Sequence, residues 1–262
     1  MSSESKLPIL IACPHNGFMR LDRQSLRVRE HLPDTCKEDL GQKFSDDNDV
    51  FTRQLTTSIV NNLQSISGKN LYYQLAEFHR KYVDYNRCEE CAFELSSVMA
   101  KHAYLEYHNG ILQKIEEMVQ ENRNSLAFLF DIHGTGLESI QIGNQNYPFH
   151  VLIGTDEQRS IKALMDVDPN SWWEEAKGLI PRLQGKNVLV FPPNKDLELQ
   201  NQILDGGYTI QKYGSSQYKK ILAAIQIEVI YDIRKNSDKR QKLAEDLAEC
   251  IYQFTLPIIS HT

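Results

Sequence analysis

Three apolar runs constrain this chain more than any other feature. Leu7 to Cys13, Ser125 to Ile132 and Ala223 to Ile230 are almost continuously hydrophobic, without the alternation of a half-wet strand. Continuous runs of this length mark strands covered on both faces, as in a parallel sheet flanked by helices. Helical periods lie between them. Phe51, Leu55, Ile59 and Leu63 recur every four residues, the stripe of an amphipathic helix beginning near Asp49. A second helical pattern runs from about Phe93 to Gln120, with a break expected at Asn109-Gly110. Shorter strands are expected at Leu71 to Ala76, Val151 to Gly154 and Val188 to Phe191. Further helices are expected at Ser160 to Met165, Trp172 to Leu183 and Lys235 to Phe254, and a long surface loop from Asp22 to Asp47. This alternation implies an α/β fold, a mostly parallel mixed sheet flanked by helices. No repeat or low-complexity block interrupts it, and 262 residues suit a single domain over positions 1–262.

Composition narrows the function classes. With 41% hydrophobic and 24% charged residues the chain is not bulk-disordered. A net charge of −6 disfavours a nucleic-acid partner. No apolar run approaches the roughly 20 residues that span a bilayer, so no membrane partner is expected. The polar stretch Met1 to Lys6 runs straight into a strand, so no signal peptide is expected. The five cysteines are odd in number, which argues for free thiols in a reducing, cytoplasmic setting. Cys88 and Cys91 form a lone CxxC, without the second pair that a structural zinc site needs.

The chemistry-bearing residues gather at strand ends. His15 lies in Pro14-His15-Asn16-Gly17, where the first apolar run has ended, and His133 follows the Ser125 to Ile132 run. In sheets of this kind ligands sit at the carboxyl ends of the strands. A hydrolytic zinc site needs three N or O ligands and one open position. His15, Asp49 and His133 could supply that set; Asp49 could equally be the N-cap of the helix that follows, and Asp46 and Asp47 are rival carboxylates. Asp131, two residues before His133 on the same strand face, is placed to orient its imidazole. Glu228 is the single charge inside Ala-Ala-Ile-Gln-Ile-Glu-Val-Ile, where an unpaired carboxylate costs several kcal/mol. It is either paired structurally or turned into a cleft, where it could act as a general base. Arg80 and Arg87 are candidates for binding a carboxylate or an oxyanion. HExxH, GxSxG, a P-loop and a strand-borne GxGxxG are all absent.

Taken together, these motifs resemble the N-formylglutamate amidohydrolase family. The resemblance rests on Pro14-His15-Asn16-Gly17, Asp49, Val83-Asp84-Tyr85-Asn86-Arg87, Tyr104 to His108 and Asp131-Ile132-His133-Gly134. It continues through Gly206-Gly207-Tyr208, Tyr213-Gly214 and Ala224-Ile225-Gln226-Ile227-Glu228, in the family's order over most of the chain. It implies a fold similar to zinc-dependent carboxypeptidases and aminoacylases, with a mixed sheet of about eight strands. It implies a zinc-dependent amidohydrolase that cleaves the C–N bond of an N-formyl or N-acyl amino acid, a small-molecule substrate. His15, Asp49 and His133 match the metal ligands, and Glu228 the general base. Asn86 and Arg87 match the pair that holds the substrate carboxylate, Arg80 the group that polarises the carbonyl, and Gly207 and Tyr208 further substrate contacts. The stretch Phe18 to Lys43 and the pair Trp172-Trp173 match nothing in the family, and the usual histidine-serine is here His133-Gly134. Two alternatives stay open: a carboxypeptidase-like hydrolase of short peptides, and a non-catalytic binding protein on the same scaffold.

Overall fold

A computed structural model describes residues 6–21, 47–122, 125–175, 177–195, 206–215 and 221–260. The three apolar runs become β1 (Ile9–Cys13), β3 (Ala127–Thr135) and β8 (Leu222–Ile230). With β2 (Tyr72–Leu75), β6 (Val151–Gly154) and β7 (Val190–Phe191) they form a six-stranded sheet in the order β2-β1-β3-β8-β6-β7. The pairs β2–β1, β1–β3 and β3–β8 are parallel, and β6 runs antiparallel to β8. The fold is therefore the mixed, mostly parallel α/β sheet expected. Six strands form the main sheet among the described residues, fewer than the family resemblance implies. A separate hairpin of β4 (Ser139–Ile142) and β5 (Gln145–Pro148) had no signal in the apolar pattern; Gly143, at φ 58°, supplies its turn.

Alternation along the central strands divides the core. Ile9 and Ile11, Phe128, Phe130 and Ile132, and Ala223, Ile225, Ile227 and Val229 point to one side. There they meet α1 (Thr52–Ser67) through Leu55, Ile59 and Leu63, and the last helix, α8 (Ser237–Ser260), through Leu247, Ile251 and Phe254. Leu10, Ala127, Leu129, Leu222 and Ala224 point to the other side, against α3 (Val98–Glu121). On that second side the pattern turns polar toward the carboxyl ends: Asp131 and His133 continue the row of β3, Gln226 and Glu228 that of β8. The chain leaves β1 for β2 on one side and reaches β3 on the other, so a topological switch point lies between β1 and β3, where such sheets bind ligands.

Several boundaries differ from expectation, each for a local reason. The α3 helix starts at Val98 because Ser97 caps it, accepting from Ala100 N at 3.2 Å; Glu89–Ala92 forms a separate short helix, α2. It runs unbroken through Asn109-Gly110, since Gly110 serves close approach: a Cβ there would lie 2.7 Å from Gln74 Oε1. The segment containing Trp172 is a turn, and the helix expected there, α5 (Leu179–Gly185), begins after Gly178. Residues Ser160 to Met165 are a 3-10 turn (Arg159–Ile161) leading into α4 (Lys162–Val167). The C-terminal helix is two, α7 (Tyr231–Lys235) and α8, divided at Asn236, whose Oδ1 accepts from Asp238 N and Lys239 N at 3.0 Å. Of the stretch Phe18 to Lys43 only residues 18–21 are described, and the loop expected from Asp22 lies outside the described residues except for its end at Asp47. Cys13, Cys88 and Cys250 are free thiols, whereas Cys91 is disulfide-bonded, against the expectation of free thiols throughout. Among the described residues no helix is long and apolar enough to cross a membrane.

Gly17 anchors the loop after β1. Met19 N donates to Glu77 O at 2.9 Å and His79 N to Met19 O at 3.0 Å, and a Cβ on Gly17 would meet Phe78 O at 2.1 Å. Because that neighbour is backbone, Gly17→Ala should cost roughly 1–3 kcal/mol, read as a lower urea midpoint. An unchanged midpoint would contradict this close approach.

Candidate metal centre

His15 and His133 meet at the switch point, 118 residues apart in the chain. His133 lies inside β3, two residues before its end, and not beyond it as the apolar run suggested. The two Nδ1 atoms are 3.2 Å apart, and Asp49 Oδ2 is 3.4 Å from that of His15 and 3.5 Å from that of His133. All three residues are buried. A tetrahedral ion with bonds of about 2.0–2.1 Å holds its ligand atoms roughly 3.3–3.4 Å apart, so this triangle has the edge lengths that zinc needs. Of the rival carboxylates, Asp47 is exposed and Asp46 lies outside the described residues.

The outer faces of both rings are tied to carboxylates. His15 Nε2 donates to Asp84 Oδ1 at 2.7 Å, and His133 Nε2 to Asp131 Oδ2 at 2.8 Å. Both aspartates are fully buried. With the Nε2 atoms protonated, the Nδ1 lone pairs face each other and the Asp49 oxygen. Such a convergence requires a positive charge at its centre, a proton or a metal ion. The group can hold a metal. Asp131 orients His133 as the strand pattern indicated. Asp84 plays the same part for His15, a role that its place in Val83-Asp84-Tyr85 did not reveal.

Asp49 does not cap α1. The residue at that position is Phe51, in the left-handed region at φ 70° and without a side-chain cap. The Asp49 carboxylate instead accepts from Gly134 N at 2.9 Å. The missing side chain at Gly134, where the family resemblance has serine, is explained by crowding: a Cβ there would lie 2.2 Å from Arg234 Cζ. Asn48 braces the same corner, donating to Gly17 O at 2.9 Å and accepting from Arg80 N at 3.0 Å.

Glu228 stands directly opposite His133 in the β3–β8 ladder, so both side chains leave the sheet on the same face. Its Oε1 accepts from Gln226 Nε2 at 3.0 Å, and Gln226 Oε1 accepts from Gly207 N at 2.7 Å. Arg80 donates to Asp84 Oδ2 at 3.0 Å and lies 3.7 Å from Asp49 Oδ1. Arg87 donates to the same Asp84 oxygen at 3.2 Å, while its Nη2 is buried without a protein partner. Asn86 Oδ1 accepts from Thr209 N at 2.8 Å, and its Nδ2 lies against Gly207. Thr209 is in the short helix α6 (Tyr208–Tyr213). Tyr208 lines a cavity of about 750 Å³ together with Tyr104, His108 and Tyr213. Tyr104 closes the circuit, donating to Arg87 O at 2.8 Å.

Electrostatics follow from burial and these pairs. Burial raises the Asp49 pKa, but His15 and His133 overcome it and hold the group far below the usual carboxylate range. Burial lowers His133, and Asp131 with Asp49 and Glu228 outweighs it, lifting the imidazole well above its ordinary value. Burial pushes Glu228 up, partly offset by His133. Burial lowers Arg80, while Asp84 and Asp49 reverse the sign and raise it.

Comparison with solved structures finds the same fold in N-formylglutamate amidohydrolase from Ralstonia eutropha JMP134. It is 13% identical, with 99% of this chain and 96% of that chain covered and a TM-score of 0.62. A gene product of Agrobacterium tumefaciens is also 13% identical, with 98% and 90% covered and a TM-score of 0.51. At such identities the likeness is one of fold. No family model matches the sequence, and none of the curated proteins matches it.

Two outcomes are expected. Asp84→Asn and Asp131→Asn should each weaken zinc binding roughly 10–100-fold in a chelator competition, and binding should weaken further as pH falls, because protons compete for the Nδ1 lone pairs. Unaltered affinity in both variants would contradict the orienting role. Separately, burial and then Lys212 push His108 down to about 3 from 6.5. The unfolded chain therefore takes up a proton that the folded chain refuses. Stability should fall as pH drops from 6.5 toward about 3, by at most about 1.4 kcal/mol per pH unit from this group. The urea midpoint of His108→Gln should fall less steeply with pH than that of the parent.

Proposed function

We propose that this chain is a zinc-dependent amidohydrolase of the cytoplasm, cleaving the C–N amide bond of an N-formyl or N-acyl amino acid. The observation that carries the reading is the convergence of His15, Asp49 and His133 with Glu228 opposite His133 on the same sheet face. The shared fold with an N-formylglutamate amidohydrolase is consistent with it.

A zinc ion held by this triad would supply Lewis acidity, polarising a carbonyl and lowering the pKa of water toward about 7. The chain's own residues do the rest. Asp84 and Asp131 keep the Nε2 protons in place, so both Nδ1 lone pairs stay turned inward. Glu228 takes the proton from the attacking water and delivers it to the leaving amide nitrogen, with its carboxylate aimed by Gln226. Burial raises its pKa, the direction that favours a carboxyl returning the proton it has accepted. Arg80, anchored on Asp84, stabilises the developing oxyanion; one such donor is commonly worth about 3–4 kcal/mol. The unpartnered Nη2 of Arg87, with Asn86 Nδ2, holds the substrate carboxylate and sets the register of the scissile bond. Gly207 and Tyr208 form the wall beside it.

The test is a panel of N-formyl and N-acyl amino acids, with dipeptides alongside. Metal-free protein should be inactive and regain turnover with zinc. Glu228→Gln should retain zinc and lose roughly 10²–10⁴-fold in kcat. Arg87→Lys should act mainly on KM. Parent-like turnover by Glu228→Gln would overturn the base assignment, and preference for dipeptides would move the activity to peptide hydrolysis.

A further inference from the structure

We propose that Arg234 is the positioning residue that locks Asp49 into the cation site, by clamping together the three chain segments that build it. The inference rests on the metal-site reading above. Arg234 lies in α7, the short helix after β8, and is 3% exposed. Its guanidinium is spent on main-chain carbonyls. Nε donates to Val229 O at 2.9 Å, Nη2 to Thr135 O at 3.2 Å, and Nη1 to Val50 O. Each carbonyl borders a site residue: Val229 follows Glu228, Thr135 comes two after His133, and Val50 follows Asp49.

The hold on Val50 matters most. Asp49, Val50 and Phe51 make the turn into α1, and Phe51 carries φ 70°, a conformation that bulky side chains rarely adopt. Phe51 itself makes no side-chain cap at that point. The Asn16 amide oxygen, which accepts from Thr52 N and Arg53 N, binds the helix N–H groups but does not hold the Val50–Phe51 peptide. The peptide joining Val50 to Phe51 is the one whose carbonyl Arg234 grips, so the guanidinium fixes the turn that aims the Asp49 carboxylate inward. Gly134 completes the device. Its N–H holds Asp49 Oδ2 at 2.9 Å, and its lack of a Cβ leaves room for the guanidinium beneath, whose Cζ would otherwise be 2.2 Å away. A buried guanidinium is costly: burial pushes Arg234 down and the negative charges of Asp49 and Glu228 offset this only in part, while three carbonyls accept from it. Lysine, with one compact donor group, cannot span three carbonyls arranged around a planar fork.

The experiment is zinc affinity of the full chain, measured by competition with a chromophoric chelator, in a double-mutant cycle with Asp49→Asn. Arg234→Gln should weaken zinc binding roughly 10–100-fold, with Arg234→Lys only partly restoring it. In the Asp49→Asn background the same substitution should change affinity by no more than about twofold, because the group through which Arg234 acts is already altered. General loosening of the fold would instead cost the same in both backgrounds. Parent-like affinity in Arg234→Gln, or an equal loss with and without Asp49, overturns the proposal. Should Arg234→Gln fail to fold, Gly134→Ala, which displaces the guanidinium without removing it, carries the same expectations. A parent chain that binds no zinc defeats the metal-site reading itself, and this inference with it.

Discussion

Two imidazole lone pairs and a carboxylate oxygen directed at one point, away from water, repel one another. That repulsion is the interaction on which the rest of this structure depends. The arrangement persists because each ring is held from behind by a buried aspartate, so that neither can turn its N–H inward. Asp84 does more than orient His15, since it also collects the guanidinium groups of Arg80 and Arg87 and the backbone N–H of Asn86. One fully buried carboxylate thereby connects the cation site to the residues proposed to hold the substrate. An aspartate in that position is neutralised by its surroundings rather than by solvent, which is what allows so much charge to be kept dry.

The sheet sets where this can happen. Parallel strands of period two present alternate residues to one face, and β3 and β8 are in register, so Asp131 and His133 stand beside Gln226 and Glu228 as two adjacent rows. The lower part of the same face is apolar and packs under α3. A polar patch on an otherwise greasy surface is therefore confined to the carboxyl ends, where the chain between β1 and α1 can add His15 and Asp49. Gln226 ties the row on β8 to Gly207 at the mouth of α6, so the base and the wall of the proposed substrate site share one hydrogen-bond chain.

Much of this was legible in the sequence, for identifiable reasons. Uninterrupted apolar runs mark doubly covered strands; a lone Glu228 inside such a run stands out because burial makes it costly, and His133 stands out by ending one, with Asp131 two residues before it. His15 stood out by following a run directly. Asp84, Gln226 and Arg234 were harder. Gln226 did carry a signal, as it shares the alternation of Glu228. Asp84 reaches a histidine 69 residues away, and Arg234 grips carbonyls from three segments, contacts that no local period encodes. The same limit explains Asp49. Locally it reads as a helix cap, and only the approach of Gly134, 85 residues later, turns it inward. Gly110 misled in the opposite direction, since a glycine placed for close contact with Gln74 looks like a helix breaker.

The central claim is that His15, Asp49 and His133 enclose one metal ion. Zinc-edge X-ray absorption on the protein as purified addresses it directly. The account predicts one zinc per chain in a low-coordinate N/O shell at about 2.0–2.1 Å, with outer-shell scattering from two imidazoles, reduced to one in either histidine-to-alanine variant. Zinc absent after incubation with the ion, or present with a spectrum that both variants leave unchanged, would contradict it.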